Sequence, residues 1–184
     1  MGKNINLMPI RISMIDDINL LNSFDCGDPR LNEFLVYEAM NLDIENCIST
    51  TLLIKNNVIV GFFSTSSSLL LVEHSSCYVK PPASRETMRE FSAVKIQYFA
   101  IDKKYQSLGF GRSMMSYLLH KLLELDRVFN LGCKVIYLEA LTNAMDFYEI
   151  MGFEYLQPWD ADNSSLSSAL MLITHDELFH YVEK

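Results

Sequence analysis

Between residues 94 and 129 the chain runs through an apolar segment, a short polar segment with two close glycines, and a long amphipathic segment. Val94-Lys-Ile-Gln-Tyr-Phe-Ala-Ile101 reads as a strand and Asp102 to Ser107 as a polar loop. Met115, Leu118, Leu119 and Leu122 recur at i, i+3, i+4 and i+7, one face of a helix from about Phe110 to Phe129. The join, Gln106-Ser107-Leu108-Gly109-Phe110-Gly111, constrains the fold more than any other stretch. Glycines let the backbone turn tightly and approach a ligand without a Cβ in the way. The first turn of the helix presents unpaired N–H groups at the positive end of its dipole. That combination suits phosphate, with Lys103, Lys104 and Arg112 as nearby charge. A plain strand–turn–helix connection would carry the same two glycines. The third glycine of the dinucleotide fingerprint is missing, and no G-x-x-x-x-G-K-S/T occurs.

Around this segment strands and helices alternate. Ile10 to Ile15 reads as a strand. Asp28-Pro29 reads as an N-cap with proline at the first helical position, opening a helix to about Asn41. Thr50 to Lys55 and Val58 to Thr65 form a hairpin about Asn56-Asn57. Leu69 to Ala93, with Pro81-Pro82 and Ser84, reads as an irregular connection. Val135 to Ala140 is a strand, and about Ala144 to Met151 a short helix stopped by Gly152. Phe153 to Leu156 and Leu170 to Thr174 are strands around a polar loop, Asp160 to Ser168. Thr174 and Glu177 form a capping box for a final helix. These elements predict a mixed sheet with helices on both faces, an α/β or α+β domain.

Composition removes several classes. At 184 residues, 49% apolar and 21% charged, the chain has the apolar content of a globular protein, with length for one domain. A net charge of −8 argues against a general nucleic-acid binder, whose affinity comes largely from neutralised phosphates. Cys26, Cys47, Cys77 and Cys133 make no C-x-x-C pair, and His74, His120, His175 and His180 make no helical i, i+3 or i, i+4 pair. His74-Ser-Ser-Cys77 has no second pair of matching spacing, so no metal is expected. Cys26 lies near a helix start, where a thiolate is stabilised, although such cysteines are more often small buried hydrophobes. MGKNINLMPI holds no apolar run for a leader, and nothing approaches a membrane span of ~20 apolar residues. A reducing cytoplasm is the expected compartment.

Gln106-Ser-Leu-Gly109-Phe-Gly111 matches the Q/R-x-x-G-x-G/A signature of the GCN5-related N-acetyltransferases, the GNAT superfamily. Ala144-Met-Asp-Phe-Tyr148-Glu-Ile-Met-Gly152-Phe153 is similar to that family's A-x-x-x-Y-x-x-x-G-F segment. Phe24-Asp-Cys26-Gly27 with Leu31, Phe34, Leu35 and Ala39, and Val60-Gly61-Phe62-Phe63 further on, resembles the subgroup containing the acetyltransferase toxins of toxin–antitoxin pairs. The resemblance runs over about residues 10 to 175, in order. It implies a mostly antiparallel central sheet and a single N-acetyltransferase domain over residues 1–184.

What the resemblance implies for the site follows residue by residue. Backbone groups of Gln106, Ser107, Leu108, Gly109, Phe110, Gly111 and Arg112 would hold the pyrophosphate of acetyl-CoA. Phe99, Ala100 and Ile101 would grip its pantetheine arm. Tyr148 takes the place of the general acid, and is protonated at neutral pH because an ordinary tyrosine titrates near ~10. Its alternative reading is an aromatic packing residue beside Phe147 and Phe153. Many members carry Asn two residues before the matched alanine; here Thr142 stands there and Asn is displaced to Asn143, a cofactor contact or a helix cap. Glu139 is the candidate base, acting through a water, or simply a solvated strand-end carboxylate.

The acceptor is less constrained. Residues 80 to 112 carry seven basic and three acidic side chains, +4, and the remainder −12. An acidic protein draws in a cationic amine, which favours a small-molecule or peptidyl amine, with a homodimer compatible. A toxin-like enzyme acting on aminoacyl-tRNA and blocked by an antitoxin is the alternative. A non-catalytic acyl-CoA-binding module is a third.

Overall fold

The structure, a computed structural model, describes residues 8–72, 78–161, 163 and 165–182. In chain order these form β1 (Met8–Arg11), α1 (Pro29–Glu33), a π-helical turn (Phe34–Glu38), α2 (Ala39–Ile44), β2 (Ser49–Lys55), β3 (Val58–Leu71) and β4 (Glu90–Ile101). Then come α3 (Phe110–Phe129), β5 (Val135–Leu141), α4 (Met145–Ile150), β6 (Glu154–Tyr155), β7 (Ser168–Thr174) and α5 (His175–Val182). The strands lie in the order β1-β2-β3-β4-β5-β7-β6 in a seven-stranded sheet. Its pairings are antiparallel for β1–β2, β2–β3, β5–β7 and β6–β7, and parallel for β4–β5.

Contacts divide the described chain into two compact units. The first comprises residues up to Ser66 together with Ile96–Met115; the second comprises Ser67–Lys95 and the chain from Ser116 onward. In the first unit Ile12, Leu21, Phe24, Phe34, Leu35, Ala39, Leu52, Ile59, Phe62 and Ala100 form a buried cluster. Phe34, on the π turn, stacks on Tyr98 of β4 at 3.8 Å between ring centroids. In the second, Leu70, Val72, Val79, Phe91, Ala93, Val135, Leu156 and Leu172 pack together.

Several elements depart from the sequence reading, each for a local reason. The first strand is Met8–Arg11, not Ile10 to Ile15, because Arg11 ends its pairing with β2 by bonding the buried Asp43 through Nε at 2.8 Å. The chain then turns in a short 3-10 helix that buries Ile12. The helix after Asp28 reaches Ile44 but is interrupted by the π turn. Within Leu69 to Ala93, read as irregular, β3 runs on to Leu71 and β4 starts at Glu90. Hydroxyl partners explain the extension through the Ser-rich run: Ser64 with Thr50 at 2.8 Å, Ser66 with Gln97 at 3.0 Å, Ser68 with Tyr137 at 2.7 Å. His74 and Cys77 lie outside the described residues.

Other expectations hold. Asn56 and Asn57 have φ of 50° and 61°, the left-handed pair of a tight hairpin turn. α3 spans Phe110–Phe129 and buries Met114, Met115, Leu118, Leu119 and Leu123, with Leu122 half-buried. Gly152 ends α4 at φ +88°, and the Thr174–Glu177 capping box forms, Thr174 N–H and Oγ1 both donating to Glu177.

Candidate functional site

The residues singled out in the sequence divide between the two units. Phe99, Ala100, Ile101 and Gln106 to Arg112 belong to the first; Glu139, Asn143 and Tyr148 belong to the second.

In the first unit the chain leaves β4 through Asp102, which is buried and donates its N–H to Val60 O at 2.9 Å. The Asp102 carboxylate caps the short turn Lys103–Tyr105 through Lys104 N–H at 2.9 Å. Gln106 donates both hydrogens of its side-chain amide to protein carbonyls, Cys26 O at 2.8 Å and Ile101 O at 2.9 Å. Ser107 and Gly109 then take positive φ, 58° and 87°. A Cβ on Gly109 would meet nothing within 4 Å, so the backbone angle, and not crowding by protein atoms, selects glycine there. The first bond of α3 runs from Ser113 N–H to Gly109 O at 3.1 Å. The N–H groups of Phe110, Gly111 and Arg112 therefore precede the helical ladder and lie at its positive end.

The side chains around this loop do different work. Phe110 is buried against Tyr105, 5.3 Å between centroids, with Lys55 Nζ 5.2 Å over its ring. Lys103 pairs with Asp25 at 3.0 Å, whereas Lys104 and Arg112 are exposed and without a side-chain partner among the described residues. Ala100 is buried, Phe99 and Ile101 half-buried. Gly61 on β3 admits the end of β4 closely: a Cβ there would sit 2.7 Å from Ala100 O and 2.6 Å from Ile101 Cδ1. A run of backbone N–H groups ahead of the helical ladder, an open glycine and two exposed cations, Lys104 and Arg112, fit a pyrophosphate.

In the second unit Tyr148 sits on α4 at 8% exposure, between the rings of Phe147 and Phe153 at 5.2 and 5.8 Å. Burial pushes its phenol up to about 12. Glu139 is exposed on β5, and Ser168 Oγ donates to its Oε1 at 2.7 Å. Thr142 donates its hydroxyl to Leu166 O and Ser167 O, which commits it to the 166–167 backbone. Asn143 is exposed and does not cap α4, whose N-cap position is held by Ala144.

Sequence reasoning missed Tyr137, half-buried on the Glu139 face of β5 and bonded to Ser68; the alternation of β5 carried that signal. It also left the part played by Asp25 and Asn32 unread. Cys26 is half-buried and burial pushes its thiol up, against a stabilised thiolate. Among the described residues no three His, Cys, Asp or Glu side chains are grouped to hold a metal ion, and no helix is long and apolar enough to cross a membrane.

The sequence model described as the acetyltransferase (GNAT) family matches residues 17–153. No curated protein matches the sequence. Among solved structures, a bacterial toxin superposes with a TM-score of 0.81 at 19% identity, over 96% of this chain and 95% of that one. A mutant AtaT toxin bound to the C-terminus of the antitoxin AtaR and acetyl-CoA gives 0.73 at 18% identity, over 97% and 99%. AtaT complexed with acetyl-methionyl-tRNAfMet gives 0.76 at 19% identity, over 95% and 98%. At these identities the likeness is one of fold.

Proposed function

The chain belongs to the acetyltransferase (GNAT) family, and from that membership we propose that it transfers an acetyl group from acetyl-CoA directly to a primary amine, residues 1–184 acting as one N-acetyltransferase domain. The observation that carries the reading is the β4–α3 join, where the N–H groups of Phe110, Gly111 and Arg112 precede the first helical bond, Ser113 N–H to Gly109 O, beside a left-handed Gly109.

Acetyl-CoA supplies an activated acyl carbon on a thiolate leaving group. Under this reading the N–H groups of the loop and of the first turn of α3 hold the pyrophosphate, and Lys104 and Arg112 add charge. The backbone of Phe99 to Ile101 aligns the pantetheine arm. Glu139, through a water, takes the proton that the amine loses as its nitrogen bonds to the acyl carbon. Tyr148 donates a hydrogen bond to the sulfur as the carbon–sulfur bond breaks. Its pKa of about 12 stands above the ~8.5 of an ordinary thiol, so Tyr148 stays protonated and steadies the developing thiolate.

The test is calorimetric titration with acetyl-CoA of the wild type and of Gly109→Glu. The variant strains a backbone at φ +87° and places a carboxylate where the phosphates would lie. Binding by the wild type alone is expected; no binding by a folded wild type sinks the reading.

A second reading narrows the acceptor to the amino group of aminoacyl-tRNA, with an antitoxin as partner. It is supported by the fold shared with AtaT, whose structures include a complex with acetyl-methionyl-tRNAfMet and one with the antitoxin AtaR. A small or peptidyl amine is supported by the acidic balance of the chain.

A further inference from the structure

We propose that the turn from Asp25 to Asn32 is a brace that sets the conformation of the phosphate-holding loop, with Asp25 and Asn32 as positioning residues for acetyl-CoA binding; the inference rests on the reading above.

Within the loop the restraints are the Asp102 cap, the bond from Gln106 to Ile101 O and the packing of Tyr105 on Phe110. Residues 103, 104 and 106 to 109 are exposed, so no apolar packing fixes them, and Ser107 is held at φ 58°, a conformation costly for a residue with a Cβ. Hydrogen bonds from a segment nearly eighty residues earlier take that role. Asp25 and the strand exit exchange backbone contacts: Asp25 N–H donates to Asp102 Oδ2 at 3.1 Å, and Lys103 N–H donates to Asp25 O at 2.9 Å. The Asp25 carboxylate accepts from Lys103 Nζ at 3.0 Å, Gly27 N–H at 2.9 Å and Asn32 Nδ2 at 2.9 Å. Those donors, Lys103 foremost and then Asn32 and Gly27, hold its pKa down at about 2, so it is ionised at any working pH. Asn32 Oδ1 accepts from Cys26 N–H at 3.0 Å, and Gln106 Nε2 reaches Cys26 O at 2.8 Å. Gly27 completes the fit, since at φ +96° a Cβ would lie 2.9 Å from Lys103 Cε.

The contacts that leave the turn end at 102, 103 or 106, just before the backbone groups that would face the phosphates, and those among Asp25, Cys26, Gly27 and Asn32 shape the turn itself. A loop that samples the competent shape only a tenth of the time binds about tenfold more weakly, while the chemistry in the bound state is unaltered. The expected signature is a split. Asp25→Ala raises the Kd and KM for acetyl-CoA about tenfold, leaves kcat at saturating acetyl-CoA within about twofold, and speeds amide hydrogen exchange at 103 to 109. Glu33→Gln removes an exposed negative charge just beyond the turn, and binds as the wild type does. A role in folding alone would lower the active fraction, and with it kcat, at unchanged Kd.

Wild-type Kd in Asp25→Ala, or unchanged exchange at 103 to 109, overturns the proposal. Should Asp25→Ala not fold, Asn32→Ser removes the Cys26 and Asp25 contacts, leaves the Lys103 pair, and is held to the same result. If the wild type binds no acetyl-CoA, the acetyltransferase reading fails by itself. The exchange comparison still decides whether the turn orders the loop.

Discussion

Tyr148 is the residue whose environment says most about its chemistry. Buried between Phe147 and Phe153, its phenol is held neutral, with a pKa near 12. Tyr148→Phe is expected to lower kcat by ~10²–10⁴, with acetyl-CoA affinity unchanged by calorimetry. An acyl donor whose leaving group is less basic than the thiolate, such as a p-nitrophenyl ester, should shrink that loss to a few fold. The same burial links Tyr148 to stability. A phenol that titrates near 10 when unfolded and near 12 when folded contributes fully below pH 10. The contribution disappears as pH rises toward 12, amounting to about 2 kcal/mol. Urea unfolding at pH 8 and pH 11.5 should show that drop in the wild type and a smaller one in Tyr148→Phe. Tyr148 stood out in the sequence only through the resemblance of Ala144 to Phe153 to the family's A-x-x-x-Y-x-x-x-G-F segment; its own neighbours, Phe147 and Phe153, read equally as packing. Asp25 did not stand out, because its partners, Lys103 and the Asp102 carboxylate, are far away along the chain and no local spacing reveals them.

Among the elements, those with a strong period were read almost to the residue, and those held by specific polar contacts were not. α3 repeats its apolar face through twenty residues, so Phe110–Phe129 was visible from periodicity. The far half of β3 is a run of serine and threonine with weak β character, and its pairing depends on hydroxyl contacts from β2, β4 and β5 that only the fold supplies. The π turn Phe34–Glu38 left no sequence mark. Gly61 was legible only through resemblance, and its cause is close approach. A Cβ would press on Ala100 O at 2.7 Å, a backbone atom at the end of β4 that cannot swing aside. Gly61→Ala is therefore expected to destabilise by about 1–3 kcal/mol, read as a lower urea midpoint at unchanged slope.

For the whole molecule, charge bears on the acceptor. The chain carries −8, while the exposed Lys80, Arg85, Lys104 and Arg112 belong to a segment of net +4. A net negative field attracts a polyamine or a basic peptide from a distance and repels RNA, and both effects fade with salt. For a cationic amine, kcat/KM should fall as ionic strength rises from about 10 to 150 mM, where the Debye length shrinks from ~30 to ~8 Å. For aminoacyl-tRNA the basic segment would have to neutralise several phosphates against that field, and turnover would collapse far more steeply with salt. Cell growth separates the two without a purified acceptor. If the acceptor is a small or peptidyl amine, induced expression in a bacterium leaves growth unchanged. Arrest by the wild type that Tyr148→Phe relieves would assign the acceptor to charged tRNA. Arrest that Tyr148→Phe does not relieve would be a burden of expression unrelated to transfer, since the variant keeps the fold and the surface charge and lacks only the phenolic hydroxyl.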